Sequence, residues 1–172
     1  MSHLHHLNTT DAEELRPRLL ALTESPAWAD DLIARRPYDD LDVLLTASDE
    51  IVLALPEAQI DAALAGHPRI GEKATGLDAE SAARSASEQA GMSHANSSVQ
   101  AAMARGNAGY EERFGRIYLV AAAGRSAEDL LGYLHVRLDN SPEVELETVR
   151  GELARITRLR LTELLAPAQG SR

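Results

Sequence analysis

The chain has 172 residues, of which 44% are apolar but only 3% aromatic, and its formal net charge is −10. This length suits one domain, and an apolar content supplied mainly by alanine and leucine favours helices over strands. The negative charge disfavours nucleic acids and anionic membranes as partners, and the absence of cysteine excludes disulfides and thiolate chemistry.

Capping residues, prolines and apolar spacing predict four helices in the first 66 residues. A capping box at Thr10-Asp11-Ala12-Glu13 begins the first of them. The predicted helices run, in order, from Thr10 to Ser25-Pro26, from Pro26 to just before Pro37, from Asp40 to Pro56, and from Pro56 to Gly66.

The rest of the chain predicts further helices around one strand-like run. The run Ile117-Tyr118-Leu119-Val120-Ala121-Ala122 has no partner strand, so we expect either extended backbone or the buried start of a helix. The fold is therefore predicted to be all-α, a single-domain helical bundle over residues 1–172 with a short extended segment near 117–122. The predicted helices run from Asp78 to Ala90, from Ser97 to Gly106, through Tyr110 and Phe114, from Ser126 to Asp139 and from Pro142 to Leu165, with Gly91 and Gly106 as C-caps.

Neither end of the chain resembles a targeting segment, and no apolar run approaches the roughly 20 residues of a membrane span. The C-terminal Gly170-Ser171-Arg172 differs from a peroxisomal signal, so we expect a cytoplasmic, bacterial-type protein. Residues 1–7 and 166–172 are expected to be flexible, and the N-terminal histidines therefore predict no metal site. Lys73 is the only lysine and lacks a glycine-rich phosphate cradle, so we predict a mechanism without a cofactor.

His67 stands between Gly66, a candidate C-cap, and Pro68, which disfavours helical geometry at the preceding residue. The imidazole is therefore expected to project from a stiff turn at the carbonyl end of a helix, where the partial negative charge favours its protonated form. Such a group can act as a general acid or base. The alternative is an exposed loop histidine.

Two further sets of polar residues have the spacing of one helix face. Ser85, Glu88 and Gln89 lie three and four residues apart, which is typical of a shared site but also of a capping box or a solvated face. On the last helix, the apolar positions Leu146, Val149, Leu153 and Ile156 step by three or four residues, and the next step reaches Arg160. Arg160 is therefore predicted at an interior-facing position, where it grips a substrate carboxylate. The alternatives are that its side chain snorkels outward or pairs with an acid.

These residues belong to five blocks that follow one another along the chain. The blocks are Gly66-His67-Pro68-Arg69-Ile70-Gly71, Ser85-x-x-Glu88-Gln89-Ala90-Gly91, Asn107-x-x-Tyr110-x-x-Arg113-Phe114-Gly115, Gly124-Arg125-Ser126 and Arg158-Leu159-Arg160-Leu161. Over about residues 7 to 165, this succession resembles the 2-oxo-4-hydroxy-4-carboxy-5-ureidoimidazoline (OHCU) decarboxylase family of urate degradation.

The resemblance implies an all-α, cofactor-free carboxy-lyase, commonly a homodimer, that converts OHCU to (S)-allantoin. It implies His67 as the catalytic acid or base, with Glu88 paired to it, and Arg160 as the residue that binds the carboxylate region. The other substrate-binding positions that it implies are Pro68, Ser85, Gln89 and the backbone of Leu119, Val120, Ala121 and Ala122. A non-catalytic all-helical interaction module, with the polar blocks as caps and surface, is the alternative.

Overall fold

The computed structural model describes residues 2–71, 79–93 and 95–167, and all regular secondary structure within these ranges is helical. This confirms the predicted all-α fold. None of the described helices is long and apolar enough to cross a membrane. The helices are α1 (His3–Thr9), α2 (Ala12–Leu20), α3 (Pro26–Ala34), α4 (Leu41–Leu53), α5 (Glu57–Leu64), α6 (Ala79–Glu88), α7 (Ala90–Ser93), α8 (Ser97–Phe114), α9 (Ala127–Leu138) and α10 (Pro142–Leu164). Lys73, Asp78, His94 and residues 168–172 lie outside the described residues.

The predicted helix starts at Asp40, Ser126 and Ser141-Pro142 are confirmed by side-chain caps. The Asp40 carboxylate accepts a hydrogen bond from the amide of Val43 at 2.9 Å. The hydroxyl of Ser126 caps α9 and that of Ser141 caps α10 in the same manner. Each cap satisfies an N–H group that has no partner inside its own helix, and so it fixes where the helix begins.

The N-terminal region differs from the prediction. Residues 3–9 form α1, a helix that the sequence analysis did not predict, and Leu7 is buried in the core. The Arg36 guanidinium fastens the end of this helix by donating to the carbonyls of Leu7 and Thr10 at 2.9 and 2.7 Å. The next helix, α2, is capped by Asp11 and not by Thr10, and it ends at Leu20, well before Ser25-Pro26.

The predicted C-caps at Gly91 and Gly106 are wrong, because both glycines lie inside helices. A Cβ at Gly106 would lie 2.3 Å from Cδ2 of Leu134, and a Cβ at Gly91 would lie 2.3 Å from the carbonyl oxygen of Arg125. These glycines therefore allow close packing, and α8 continues to the left-handed C-cap Gly115 at φ 70°.

The extended segment, residues 117–122, lies between two hydrophobic clusters. The first cluster is centred on α2–α5 and α10, and the second on α8 and α9. Tyr118, Val120 and Ala122 are buried in the second cluster, whereas Leu119 is buried in the first. Side chains that alternate between two sides are the mark of extended backbone, so the extended alternative of the prediction is confirmed. This segment also forms one wall of the candidate site.

Candidate active site

A pocket of about 480 Å³, its open mouth included, lies where four parts of the chain meet. These are the turn after α5, the end of α6, the extended segment and the second half of α10. Most of the lining is apolar, and its polar side chains are His67, Glu88, Gln89, Arg155, Arg160 and Tyr118, whose hydroxyl donates to the carbonyl of Leu130.

Arg160 and Glu88 form a bidentate ion pair at the pocket wall. Nε and Nη2 of Arg160 each donate to one carboxylate oxygen of Glu88 at 2.9 Å. Nη1 donates to the carbonyl of Leu22 at 2.7 Å. The Arg160 side chain is 7% exposed and that of Glu88 is 15% exposed. The inward position predicted for Arg160 is thus observed, with an acid as its partner.

Glu88 is paired with Arg160, and the structure shows no hydrogen bond between Glu88 and His67 among the described residues. Among the described residues the His67 ring has no hydrogen-bond partner. Burial, and secondly the positive charge of Arg160, lower the pKa of His67 from its usual 6.5 to about 3, although part of the residue still reaches solvent. The expected preference for the protonated form is therefore reversed. A neutral imidazole faces the pocket and can accept a proton.

The turn that carries His67 is held against the end of α6. Gly66 has no left-handed φ, and the C-cap of α5 is Ala65, so the expected C-cap at Gly66 is wrong. Gly71, at φ 90°, donates its N–H to Oε1 of Gln89 at 2.9 Å. Nε2 of Gln89 has no partner in the described part of the chain, and it can donate to a ligand carbonyl.

The other predicted positions are distributed as follows. Pro68 lines the pocket beside His67. Ser85 lies in α6, but its side chain is outside what the structure describes. The four backbone positions Leu119, Val120, Ala121 and Ala122 all line the pocket.

Two charged side chains anchor the extended segment. Arg137 donates to the carbonyl of Leu119 at 2.6 Å, and Glu152 accepts from the N–H of Ala121 at 2.9 Å. Both side chains are buried, with 1% and 2% of the residue exposed. In extended backbone a carbonyl and the N–H two residues later point to the same edge, so Arg137 and Glu152 hold one edge of the segment.

Part of the backbone along this segment stays available to a ligand. Ala122 directs its carbonyl to the N–H of Arg125. Within the described residues, the N–H groups of Leu119, Val120 and Ala122 and the carbonyls of Val120 and Ala121 have no hydrogen-bond partner. Such groups can read an amide-rich molecule.

The sequence analysis missed the buried polar network behind this wall. Glu145 accepts hydrogen bonds from Arg137 Nε, at 2.7 Å, and from the hydroxyl of Tyr110. A signal was present: Glu145 and Glu152 fall on the same three-and-four spacing of α10 that leads to Arg160, and Arg137 follows Leu130 and Leu134 in that way on α9. Charges on a buried helix face are expected to be paired or hydrogen-bonded.

The described residues include no group of three or more His, Asp or Glu side chains placed to hold a metal ion. The polar groups of the pocket are instead a neutral imidazole, a closed ion pair, a carboxamide, unpaired backbone amides and one further arginine. This donor set suits a small polar organic molecule with amide groups.

Comparison with known proteins agrees with this donor set. The family model of OHCU decarboxylase matches residues 8–162. The chain belongs to the OHCU decarboxylase family.

Two relatives illustrate the relationship. The uric acid degradation bifunctional protein TTL of Arabidopsis thaliana is 34% identical over 106 residues, which cover 60% of this chain and 33% of that protein. The chain thus spans about a third of the length of this relative. The 2-oxo-4-hydroxy-4-carboxy-5-ureidoimidazoline decarboxylase of Amia calva is 32% identical over 133 residues, covering 76% of this chain and 75% of that protein.

The fold also matches a solved structure. A crystal structure of OHCU decarboxylase in the presence of (S)-allantoin superposes with a TM-score of 0.73 at 22% identity. The match covers 92% of this chain and 100% of the other. At this identity the match establishes a shared fold.

Proposed function

We propose that this chain catalyses the cofactor-free decarboxylation of OHCU to (S)-allantoin in urate degradation. Family membership supports the reaction class. The observation that carries the proposal is the convergence of His67 and the Arg160–Glu88 pair on one pocket bounded by unpaired backbone amides. A non-catalytic interaction module requires an exposed Glu88 and an outward Arg160, and both side chains are largely buried.

The reaction follows from the substrate's own groups. OHCU carries a hydroxyl and a carboxylate on the same ring carbon. When carbon dioxide leaves, the electron pair of the broken carbon–carbon bond moves into the imidazoline ring, so no external electron sink is required. The hydroxyl oxygen becomes a ring carbonyl as it loses its proton. A second ring carbon gains a proton, and one further proton from solvent gives the neutral product.

His67 is the residue we assign to this proton transfer. The lowered pKa keeps the resting imidazole neutral, so its ring nitrogen is open to receive the hydroxyl proton as the carbonyl forms, and the same low pKa favours passing that proton on. It can then deliver that proton to the neighbouring ring carbon from its own side of the pocket. Delivery from one side accounts for a single enantiomer of allantoin.

The remaining groups bind and orient the substrate. Pro68 and Gln89 line the pocket with His67 and bind the substrate there, and the family resemblance supports Ser85 as a further substrate-binding position. The free N–H and C=O groups of residues 119–122 bind the ureido and ring amides. Arg160 keeps two of its five N–H groups after donating to Glu88 and Leu22, and these are available to the carboxylate region.

The test is a reaction on OHCU generated freshly from urate by the enzymes that precede this step. We expect the chain to accelerate the rise of the circular dichroism signal of (S)-allantoin above the uncatalysed rate. His67→Asn keeps the size and polarity of the side chain but removes its basic nitrogen, and it should reduce the accelerated rate at least about 100-fold. If the wild-type chain gives no acceleration, the proposed function is wrong. If His67→Asn is fully active, the proton-transfer role assigned to His67 is wrong.

We also propose that the active form is a cytoplasmic homodimer, which the family resemblance supports. Light scattering coupled to size-exclusion chromatography should give twice the chain mass of 18.6 kDa. A mass of one chain at assay concentration would contradict the dimer.

A further inference from the structure

Arg155 is a second arginine of the pocket, and the sequence analysis gave it no role. It lies on α10, five residues before Arg160, and it lines the same pocket as His67. Its side chain is 66% exposed, whereas that of Arg160 is 7% exposed. Arg155 therefore stands at the mouth of the pocket and Arg160 in its wall.

The two arginines differ in how far the protein already occupies them. Arg160 directs all three of its side-chain nitrogens to Glu88 and Leu22, and its charge is balanced by Glu88. The charged contact of Arg155 is with Oε1 of Glu152, at 3.9 Å, which is beyond hydrogen-bond distance. Within the described part of the chain, the guanidinium of Arg155 donates no hydrogen bond, so its N–H groups are free to bind a ligand.

The buried carboxylate of Glu152 limits where that guanidinium can lie. Oε2 of Glu152 is fixed by the N–H of Ala121, and Oε1 faces Arg155. The Arg155 guanidinium thus lies beside the extended segment on one side and is exposed to solvent on the other. This placement fits an anion that enters from solvent and meets the segment with its remaining groups.

Charge gives this position a purpose, which rests on the proposed function. The substrate carries a carboxylate, and the reaction removes that carboxylate, so the product is neutral. The chain as a whole carries −10 and repels an anionic substrate. His67 is neutral and the charge of Arg160 is balanced by Glu88, which leaves Arg160 two free N–H groups. Arg155 donates no hydrogen bond within the described residues, so all five of its N–H groups are free to bind an anion.

We propose that Arg155 binds the substrate carboxylate at the pocket mouth, so that the site captures the anionic substrate and does not retain the neutral product. Because this contact forms before the carboxylate is lost, it strengthens substrate capture more than the chemical step. It affects KM and leaves kcat nearly unchanged.

The test compares Arg155→Met with the matched control Arg18→Met. Arg18 is an exposed arginine of α2 outside the pocket lining, and both substitutions change the net charge equally. For Arg155→Met we expect KM to rise about tenfold, since a charge-assisted hydrogen bond is lost, while kcat stays within about twofold. The inhibition constant of (S)-allantoin should not change. Arg155→Lys, which keeps the charge, should recover part of the loss.

The salt dependence gives a second readout. Salt screens the attraction of Arg155 for the carboxylate, so the ratio of wild-type kcat/KM to that of Arg155→Met should fall as ionic strength rises. The ratio of wild type to Arg18→Met should fall less. The inference is overturned if KM is unchanged in Arg155→Met, or if KM and the allantoin inhibition constant rise together, which would indicate a role in pocket shape. All these measurements require an active wild-type chain. An inactive wild type would overturn the proposed function, whereas an active wild type with unchanged KM in Arg155→Met would overturn the inference about Arg155 alone.

Discussion

The ion pair between Arg160 of α10 and Glu88 of α6 joins residues that lie 72 positions apart in the sequence, and breaking it should destabilise the protein substantially. Arg160→Met keeps the length and apolar stem of the side chain but removes three hydrogen bonds, two to Glu88 and one to the carbonyl of Leu22. The Glu88 carboxylate is then left largely buried without its partner.

The size of the effect follows from the burial of the pair. Removing one partner of a buried ion pair costs about 3–5 kcal/mol. Because 15% of the Glu88 side chain is exposed, water can reach part of the abandoned carboxylate, and we expect the lower end, about 3 kcal/mol. For a domain of this size that corresponds to a fall in Tm of about 6–12 °C.

Calorimetry measures the fall in Tm directly. The proteins compared are the wild type, Arg160→Met, Glu88→Gln and the double variant. The destabilisation of the double variant should be smaller than the sum of the two single destabilisations, because the double variant leaves no buried charge without its partner. Arg16→Met breaks the exposed pair with Asp30 and serves as the control, with a clearly smaller change. If Arg160→Met lowers Tm no more than Arg16→Met does, the pair does not stabilise the pocket and the reasoning is refuted.

Three further outcomes are expected. Because the pKa of His67 is lowered, the unfolded chain binds a proton below pH 6.5 that the folded chain does not bind until about pH 3. The free energy of unfolding of the wild type, measured with denaturant, should therefore rise with pH between about 3 and 6.5, and it should rise less steeply in His67→Asn. An equal rise with pH in both proteins would contradict a neutral buried imidazole. Glu152→Ala should raise KM, because the Ala121 N–H loses its acceptor and Arg155 loses its charged neighbour. Glu152→Gln keeps an acceptor oxygen for that N–H and should raise KM less; equal effects of the two variants in steady-state kinetics would contradict the positioning role. Gly106→Ala should destabilise the protein by about 1–2 kcal/mol, because the new Cβ would clash with the buried Leu134 side chain. In Gly109→Ala, on the same helix, the new Cβ meets no atom within 4 Å, so this variant should be neutral or stabilising, and urea unfolding that ranks the two variants in the opposite order would refute this packing.

Features set by neighbouring residues were predictable from the sequence. The caps at Asp40, Ser126 and Ser141 each satisfy an N–H group three residues away, so their pattern is local. The inward position of Arg160 was also predictable, because it continues the apolar spacing of one helix. The lack of a partner strand favoured an unpaired segment at 117–122, but only the packing of its two sides distinguishes extended backbone from a helix start.

Features set by distant contacts were not predictable in this way. The partner of Glu88 depends on how α6 meets α10, and spacing along one helix is equally compatible with His67 or Arg160 as that partner. The same holds for Gly106, since the sequence does not distinguish a glycine that ends a helix from a glycine that makes room for a leucine of a neighbouring helix. The protonation state expected for His67 was wrong because a helix terminus acts only within about one turn, whereas burial and the charge of Arg160 act through the tertiary structure.

The most direct test of the central claim, that the His67 pocket decarboxylates OHCU, is the initial rate of carbon dioxide release from freshly generated OHCU. The wild-type chain should release carbon dioxide well above the uncatalysed rate, in step with the appearance of (S)-allantoin, and His67→Asn should bring the release close to the uncatalysed rate. Release by the wild type at the uncatalysed rate, or undiminished release by a folded His67→Asn variant, would contradict it.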